Sequence, residues 1–161
     1  MTSAIPATHG HHATKEKQME DMVNKPPHYA DLFTTKPTQC RAIAHMLGFD
    51  PGNVVKYVWR AGTKAPEKTV EDLQKAVNYL KDWQELYDIL WEKDIGNYEA
   101  ARAIFAQLEE PDDPVAFRKW DIIRAILRDK GHSQEEASLF FTYILNSIDS
   151  LCVTLTGERL P

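Results

Sequence analysis

The chain has 161 residues, enough for one domain of ordinary size or one domain with an appendage. Hydrophobic residues make up 43% and charged residues 27%, the balance of a globular protein rather than of a disordered or fibrous one. A net charge of −5 and a pI near 5.7 argue against broad DNA binding, which needs a large cationic surface, but leave room for a compact anion in a local basic pocket.

The first 22 residues, "MTSAIPATHGHHATKEKQMEDM", have little apolar content and no sustained periodicity, and they predict a flexible tail. His9, His11 and His12 fall in it with no carboxylate or cysteine among their immediate neighbours to complete a metal site. The N-terminus lacks the apolar core of a signal peptide, and no apolar run approaches the roughly 20 residues that cross a bilayer. A cytoplasmic protein without membrane contact is therefore expected. Cys40 and Cys152 are far apart in sequence, form no CxxC, and read as buried thiols.

"VNKPPHYADLF" follows, where Pro26 and Pro27 hold the backbone extended and present His28 and Tyr29 from a stiff loop. Beyond it the pattern is helical throughout. "TQCRAIAHMLGF" spaces Cys40, Ile43, Ala44 and Leu47 for one face and stops at Gly48. In "DPGNVVKYVWRAG", Asp50 suits the N-cap, Pro51 the first helical position and Gly62 a left-handed C-terminal cap. "TVEDLQKAVNYLKDWQELYDILWEK" opens on Thr69 as N-cap, with Asp72 in a weak capping box. Its stripe of Leu73, Val77, Leu80, Tyr87 and Trp91, widened by Ala76, Trp83 and Leu90, predicts packing on more than one neighbour.

After "DIGN", Tyr98, Ala101, Phe105 and Leu108 mark a short helix that ends at "EEPDDP". Asp113 and Pro114 then cap a helix carrying Phe117, Trp120, Ile123 and Leu127, ended by Gly131. Ser133 and Glu136 form a capping box for the last helix. There Ala137, Phe140, Phe141, Ile144, Leu145, Ile148 and Leu151 nearly encircle the axis, which predicts burial between helices, including helices of another subunit. No strand alternation and no internal repeat is found. The expected fold is an all-α bundle of about six helices. His45 reads as a structural histidine, and Trp59, Trp83, Trp91 and Trp120 as core.

One helix carries a chemical pattern. Asn53, Lys56, Tyr57 and Arg60 stand at i, i+3, i+4 and i+7 on one face, with Val54, Val55, Val58, Trp59 and Ala61 opposite. Lys56, Arg60 and Lys64 have no acid within "GNVVKYVWRAGTK" to answer them. Arg60 offers a planar fork for phosphate oxygens, Lys56 a mobile charge, Tyr57 a stacking ring and Asn53 an amide for a base edge or ribose. Asp72, Lys75 and Tyr79 share a face of the next helix and form a second polar ladder. Two plainer alternatives stand beside this: a solvated helix face, or Asp72 neutralising Lys56 or Arg60 in an inter-helix ion pair.

"KPPHY", "GNVVKYVWRAGTK" and "EDLQKAVNYL", in that order, resemble the motif series of a small domain widespread in tailed bacteriophages. That domain is similar to the C-terminal part of a phage-encoded deoxynucleoside monophosphate kinase. The matching residues are His28, Tyr29, Gly52, Asn53, Lys56, Tyr57, Arg60, Gly62, Lys64, Asp72, Lys75 and Tyr79, and the resemblance covers about residues 23 to 93.

It implies nucleotide binding and, as in one relative, phosphoryl transfer between nucleotides, here from a nucleoside triphosphate to a (deoxy)nucleoside monophosphate; a phage-encoded protein would work in the host cytoplasm. A homo-oligomer joined through helical surfaces is expected from the apolar width of the last helix. For phosphoryl transfer, Lys56 and Arg60 are assigned to phosphate oxygens, Lys64 to the loop closing over them, His28 to donating to a phosphate or orienting the acceptor, and Tyr29 to packing on base or sugar. Asp72 would hold a lysine or a hydrated magnesium. The chain then divides into a tail (1–22), the nucleotide-kinase-like domain (23–94) and a helical extension (95–161) that the resemblance does not reach.

No GxxxxGK[ST] is present, so any transfer must rely on side-chain positioning and charge. A binder that sequesters a nucleotide would use the same ladder. A pyrophosphohydrolase would need more carboxylates than Glu71 and Asp72, which point about 100° apart, and a helix-turn-helix DNA binder conflicts with the acidity.

Overall fold

The structure is a computed structural model that describes residues 38–91, 97–128 and 134–161. The expectations for the tail, for His28 and Tyr29, and for the Gly131 and Ser133 helix signals lie outside these residues. Among the described residues six α-helices follow in order: α1 (Thr38–Leu47), α2 (Phe49–Arg60), α3 (Thr69–Trp91), α4 (Tyr98–Phe105), α5 (Pro114–Arg128) and α6 (Gln134–Thr156). A 3₁₀ turn, Pro66–Lys68, leads into α3, and there are no strands among the described residues. The all-α expectation holds.

The helix ends show which sequence signals act. Gly48 at φ 88° and Gly62 at φ 75° occupy the left-handed region that favours glycine, and they terminate α1 and α2 as expected. Asn97 accepts from the backbone N–H of Ala100, and Asp113 from that of Ala116, capping α4 and α5. Asp50 does not cap. It lies inside the first turn of α2, buried, where burial and then the charge of Asp82 push its carboxyl above the usual range. Thr69 does not cap either: its hydroxyl donates to the carbonyl of Pro66 at 2.6 Å, and the 3₁₀ turn makes it the first helical residue.

Helix α2 packs on α1, α3 and α5; α3 packs on both α2 and α6, as its wide stripe requires. Gly52 lets α1 and α2 approach closely, because a Cβ there would overlap the carbonyl oxygen of Ala44. The apolar core runs unbroken from Cys40 and Ile43 through Val58, Trp59, Leu73 and Trp83 to Trp120, Ile126, Ile144 and Leu151. The helices after residue 94 therefore share one core with those before it. The N–H of Asn97 donates to Met46, and Leu155 packs against Gly62.

One further expectation is corrected: His45, in the last turn of α1, is on the surface. Among the described residues, helix α6 buries Ala137, Phe141, Ile144, Ile148, Leu151 and Cys152 along one side. The segment Glu135–Thr156, with mean hydropathy 1.4, is long and apolar enough by length and composition to cross a bilayer, and only 28% of it is buried.

A buried lysine, Lys119 of α5, closes the C-terminal end of α2. Its Nζ donates to the carbonyls of Ala61 at 2.5 Å and Trp59 at 3.3 Å, at the end of the helix where intrahelical amide donors run out. Burial pulls its pKa down to about 8, with Asp113 opposing weakly. Between about pH 8 and the ordinary lysine value of 10.5 the unfolded chain holds a proton that the folded chain has lost, so stability rises across this window. Urea unfolding should show a gain of up to about 3 kcal/mol there. Lys119→Met should remove that gain, and an unchanged pH profile in the variant would contradict the assignment. Gly52→Ala should cost about 1–3 kcal/mol of stability by separating α1 from α2.

Candidate cation and aromatic site on helices α2 and α3

The polar face of α2 forms as its periodicity dictates. Asn53, Lys56, Tyr57 and Arg60 are half-buried on one side, while Val54, Val55, Val58, Trp59 and Ala61 are buried on the other. The face looks onto the first three turns of α3, which present Asp72, Lys75 and Tyr79. The two ladders therefore meet, and aromatic contact joins them. Tyr57 stacks on Tyr79 with ring centroids 5.8 Å apart and planes 15° from parallel.

Three cations surround the Tyr57 ring. The Arg60 guanidinium lies 4.5 Å from its centroid, Lys56 Nζ 5.1 Å and Lys75 Nζ 5.9 Å. Each is within reach of the negative ring face, which offsets part of their mutual repulsion.

The expected division of labour changes at Arg60. Its Nε donates to Asp72 Oδ2 at 3.0 Å and its Nη2 to Oδ1 at 2.5 Å, a bidentate pair with side chains 13% and 4% exposed. The fork that would hold a phosphate is taken up by this carboxylate. Asp72, in turn, holds an arginine where a lysine was expected. The inter-helix ion pair that the sequence left open as an alternative is the one that forms, and it ties the last turn of α2 to the first turn of α3.

Lys75 pairs with Glu71 one turn earlier on the same helix. Their hydrogen bond raises the lysine pKa and lowers that of the glutamate. This pair is exposed, and exposed i,i+4 pairs are among the weakest. Lys56 has no carboxylate within ion-pair distance among the described residues. Lys64 is exposed on the turn after Gly62, with its N–H on the Arg60 carbonyl. Asn53 turns one amide N–H back to the carbonyl of Phe49 at 2.7 Å, which leaves its second N–H and its oxygen for a ligand.

Phe49 is the residue that sequence reasoning missed. Its ring is 71% exposed and sets its face edge-on to Tyr79, with centroids 5.6 Å apart. The signal was present: Phe49 lies four residues before Asn53 and seven before Lys56, on the polar face. Cys40 is near Lys56, but burial pushes its thiol up to about 12, which leaves it protonated and inert. No group of three or more His, Cys, Asp or Glu is gathered for a metal among the described residues.

Residues 23–81 match the sequence profile of a family described as a protein of unknown function (DUF3310). No curated protein and no solved structure matches the chain.

The Arg60–Asp72 pair predicts strong coupling between the two helices. Asp72→Ala should destabilise the protein by about 3 kcal/mol, because it strands a guanidinium in a site that is mostly dry. Adding Arg60→Ala should recover part of that loss, with a coupling of about 1–3 kcal/mol in a double-mutant cycle. Strictly additive losses would show that the pair contributes no more than a surface contact.

Proposed function

We propose that this face binds a nucleotide, with the base laid on the exposed ring of Phe49 beside Tyr79 and the phosphates drawn to Lys56, Lys75 and Lys64. What carries the reading is the charge around Tyr57: three cations gather on one ring and buried carboxylate answers just one of them. Lys56 is the central phosphate ligand in this scheme. Lys75 joins it by exchanging its exposed partner Glu71 for a phosphate oxygen, at small cost because that pair is solvated. Phe49 supplies a stacking platform worth about 1–3 kcal/mol to a base, with little selectivity among bases. Arg60 serves as a positioning residue, holding Tyr57 and the α2–α3 angle through Asp72.

The resemblance to a phage nucleotide kinase supports phosphoryl transfer between a nucleoside triphosphate and a (deoxy)nucleoside monophosphate as the activity, and a cytoplasmic setting where both are free. Lys56 would then offset charge on the transferring group, as a loose transition state requires little else of the protein. A second reading, sequestration without turnover, is favoured by the Arg60–Asp72 pair, which removes the one bidentate fork from the reacting phosphates.

The first test is a thermal-shift and calorimetric series over nucleoside mono-, di- and triphosphates, where a hundredfold excess over Kd adds about 2.7 kcal/mol of stability. Lys56→Ala should weaken binding about tenfold to a hundredfold, the size of one charge-assisted hydrogen bond, and leave the unliganded melting point nearly unchanged. If no nucleotide stabilises the protein, or Lys56→Ala binds as well as the parent, the reading is wrong. Incubation with a triphosphate and a monophosphate together then separates the activities: diphosphate formation marks the kinase, and intact ligand recovered from a tight complex marks sequestration.

A further inference from the structure

Two carboxylates stand side by side at the start of α3, and the helix sends them about 100° apart. Asp72 turns inward and is buried against Arg60. Glu71 turns outward and accepts from Lys75 Nζ, with the glutamate side chain 54% and the lysine 41% exposed. The surroundings of Glu71 are otherwise cationic: Lys75, then Lys68 and Arg60, hold its carboxyl below the usual range. It therefore lies at the edge of the cation cluster around Tyr57, where Lys56 Nζ and Lys75 Nζ are 5.1 Å and 5.9 Å from the ring centroid.

The contact is local and replaceable. Glu71 and Lys75 are one turn apart, so the pair forms without help from another element. Neither side chain makes a second hydrogen bond among the described residues. A carboxylate and a phosphate offer an ammonium the same kind of charge-assisted hydrogen bond. Glu71 thus holds the place on Lys75 that a phosphate would take. Lys56 has no such rival, since no carboxylate lies within ion-pair distance of it among the described residues.

Resting on the nucleotide reading above, we propose that Glu71 is a built-in competitor for the phosphate site. It must leave Lys75 before a phosphate can bind there, and it returns as the phosphate departs. Glu71 acts through Lys75 and is a positioning residue. Phosphates meet Lys56 first and recruit Lys75 second, against the carboxylate. The displaced glutamate, still close by, repels the bound phosphates and speeds their release. Fast release serves turnover, whereas a sequestering protein gains nothing from it. Within the nucleotide reading, the competitor therefore favours phosphoryl transfer.

The test is calorimetry and stopped-flow dissociation with the tightest-binding nucleoside triphosphate of the series above. It compares the parent, Glu71→Gln, Lys75→Gln and the double variant. Glu71→Gln changes an exposed side chain and should keep the parent circular dichroism spectrum. It should bind the triphosphate about twofold to fivefold tighter, the range of an exposed ion pair, chiefly through slower dissociation. The gain should shrink as salt is raised and should be smaller in the Lys75→Gln background. Unchanged affinity in Glu71→Gln, or tightening of the same size without Lys75, overturns the proposal while leaving nucleotide binding intact. A parent chain that binds no nucleotide removes the reading beneath the proposal, and the proposal with it.

Discussion

The carboxylate of Asp72 closing on the guanidinium of Arg60 is the contact on which the candidate site depends. It joins the end of one helix to the start of the next, at the point where the chain turns through Gly62 and the 3₁₀ segment. With that junction fixed, the polar faces of α2 and α3 confront each other and Tyr57 comes to rest on Tyr79. The same contact decides which cation is left for a ligand. Arg60 is engaged, Lys75 is held loosely by a solvated glutamate, and Lys56 lies over the ring of Tyr57 with no carboxylate in ion-pair distance among the described residues. A site built this way separates structural charge from binding charge, and the separation follows from burial: the dry pair is costly to break and the wet one is not.

The C-terminal half supports this junction from behind. Lys119 satisfies the terminal carbonyls of α2, Leu155 packs on Gly62 and α6 covers the inner face of α3. Such support explains why a segment outside the matched profile still belongs to the same core. It also places a titratable group directly beneath the helix that carries the candidate ligand residues, so that the stability of α2 and its presentation of Lys56 are physically linked.

Much of this was legible in the sequence, and the reasons are local. Period and punctuation found the helices, since Gly48 and Gly62 act through their own backbone geometry and Asp113 through a cap three residues away. The two-sidedness of α2 was equally plain from 3.6-residue spacing. What failed were roles set by partners distant in sequence. Asp50 and Thr69 look like caps in isolation, but the preceding turns supply other hydrogen bonds. Arg60 looked unanswered within its own motif because its acid arrives twelve residues later, on another helix. Lys119 sits at the spacing of a buried stripe, between Ala116 and Ile123, which was the one hint that its charge would be taken inside. His45 shows the reverse case, a polar residue read as structural that simply faces water.

The most direct test is a crystal structure of the protein with a nucleoside triphosphate. The account predicts phosphate oxygens within hydrogen-bond distance of Lys56 Nζ, a base against Phe49, and the Arg60–Asp72 pair still closed. Phosphates seated on Arg60 with Asp72 displaced, or a nucleotide bound away from α2 and α3, would contradict it.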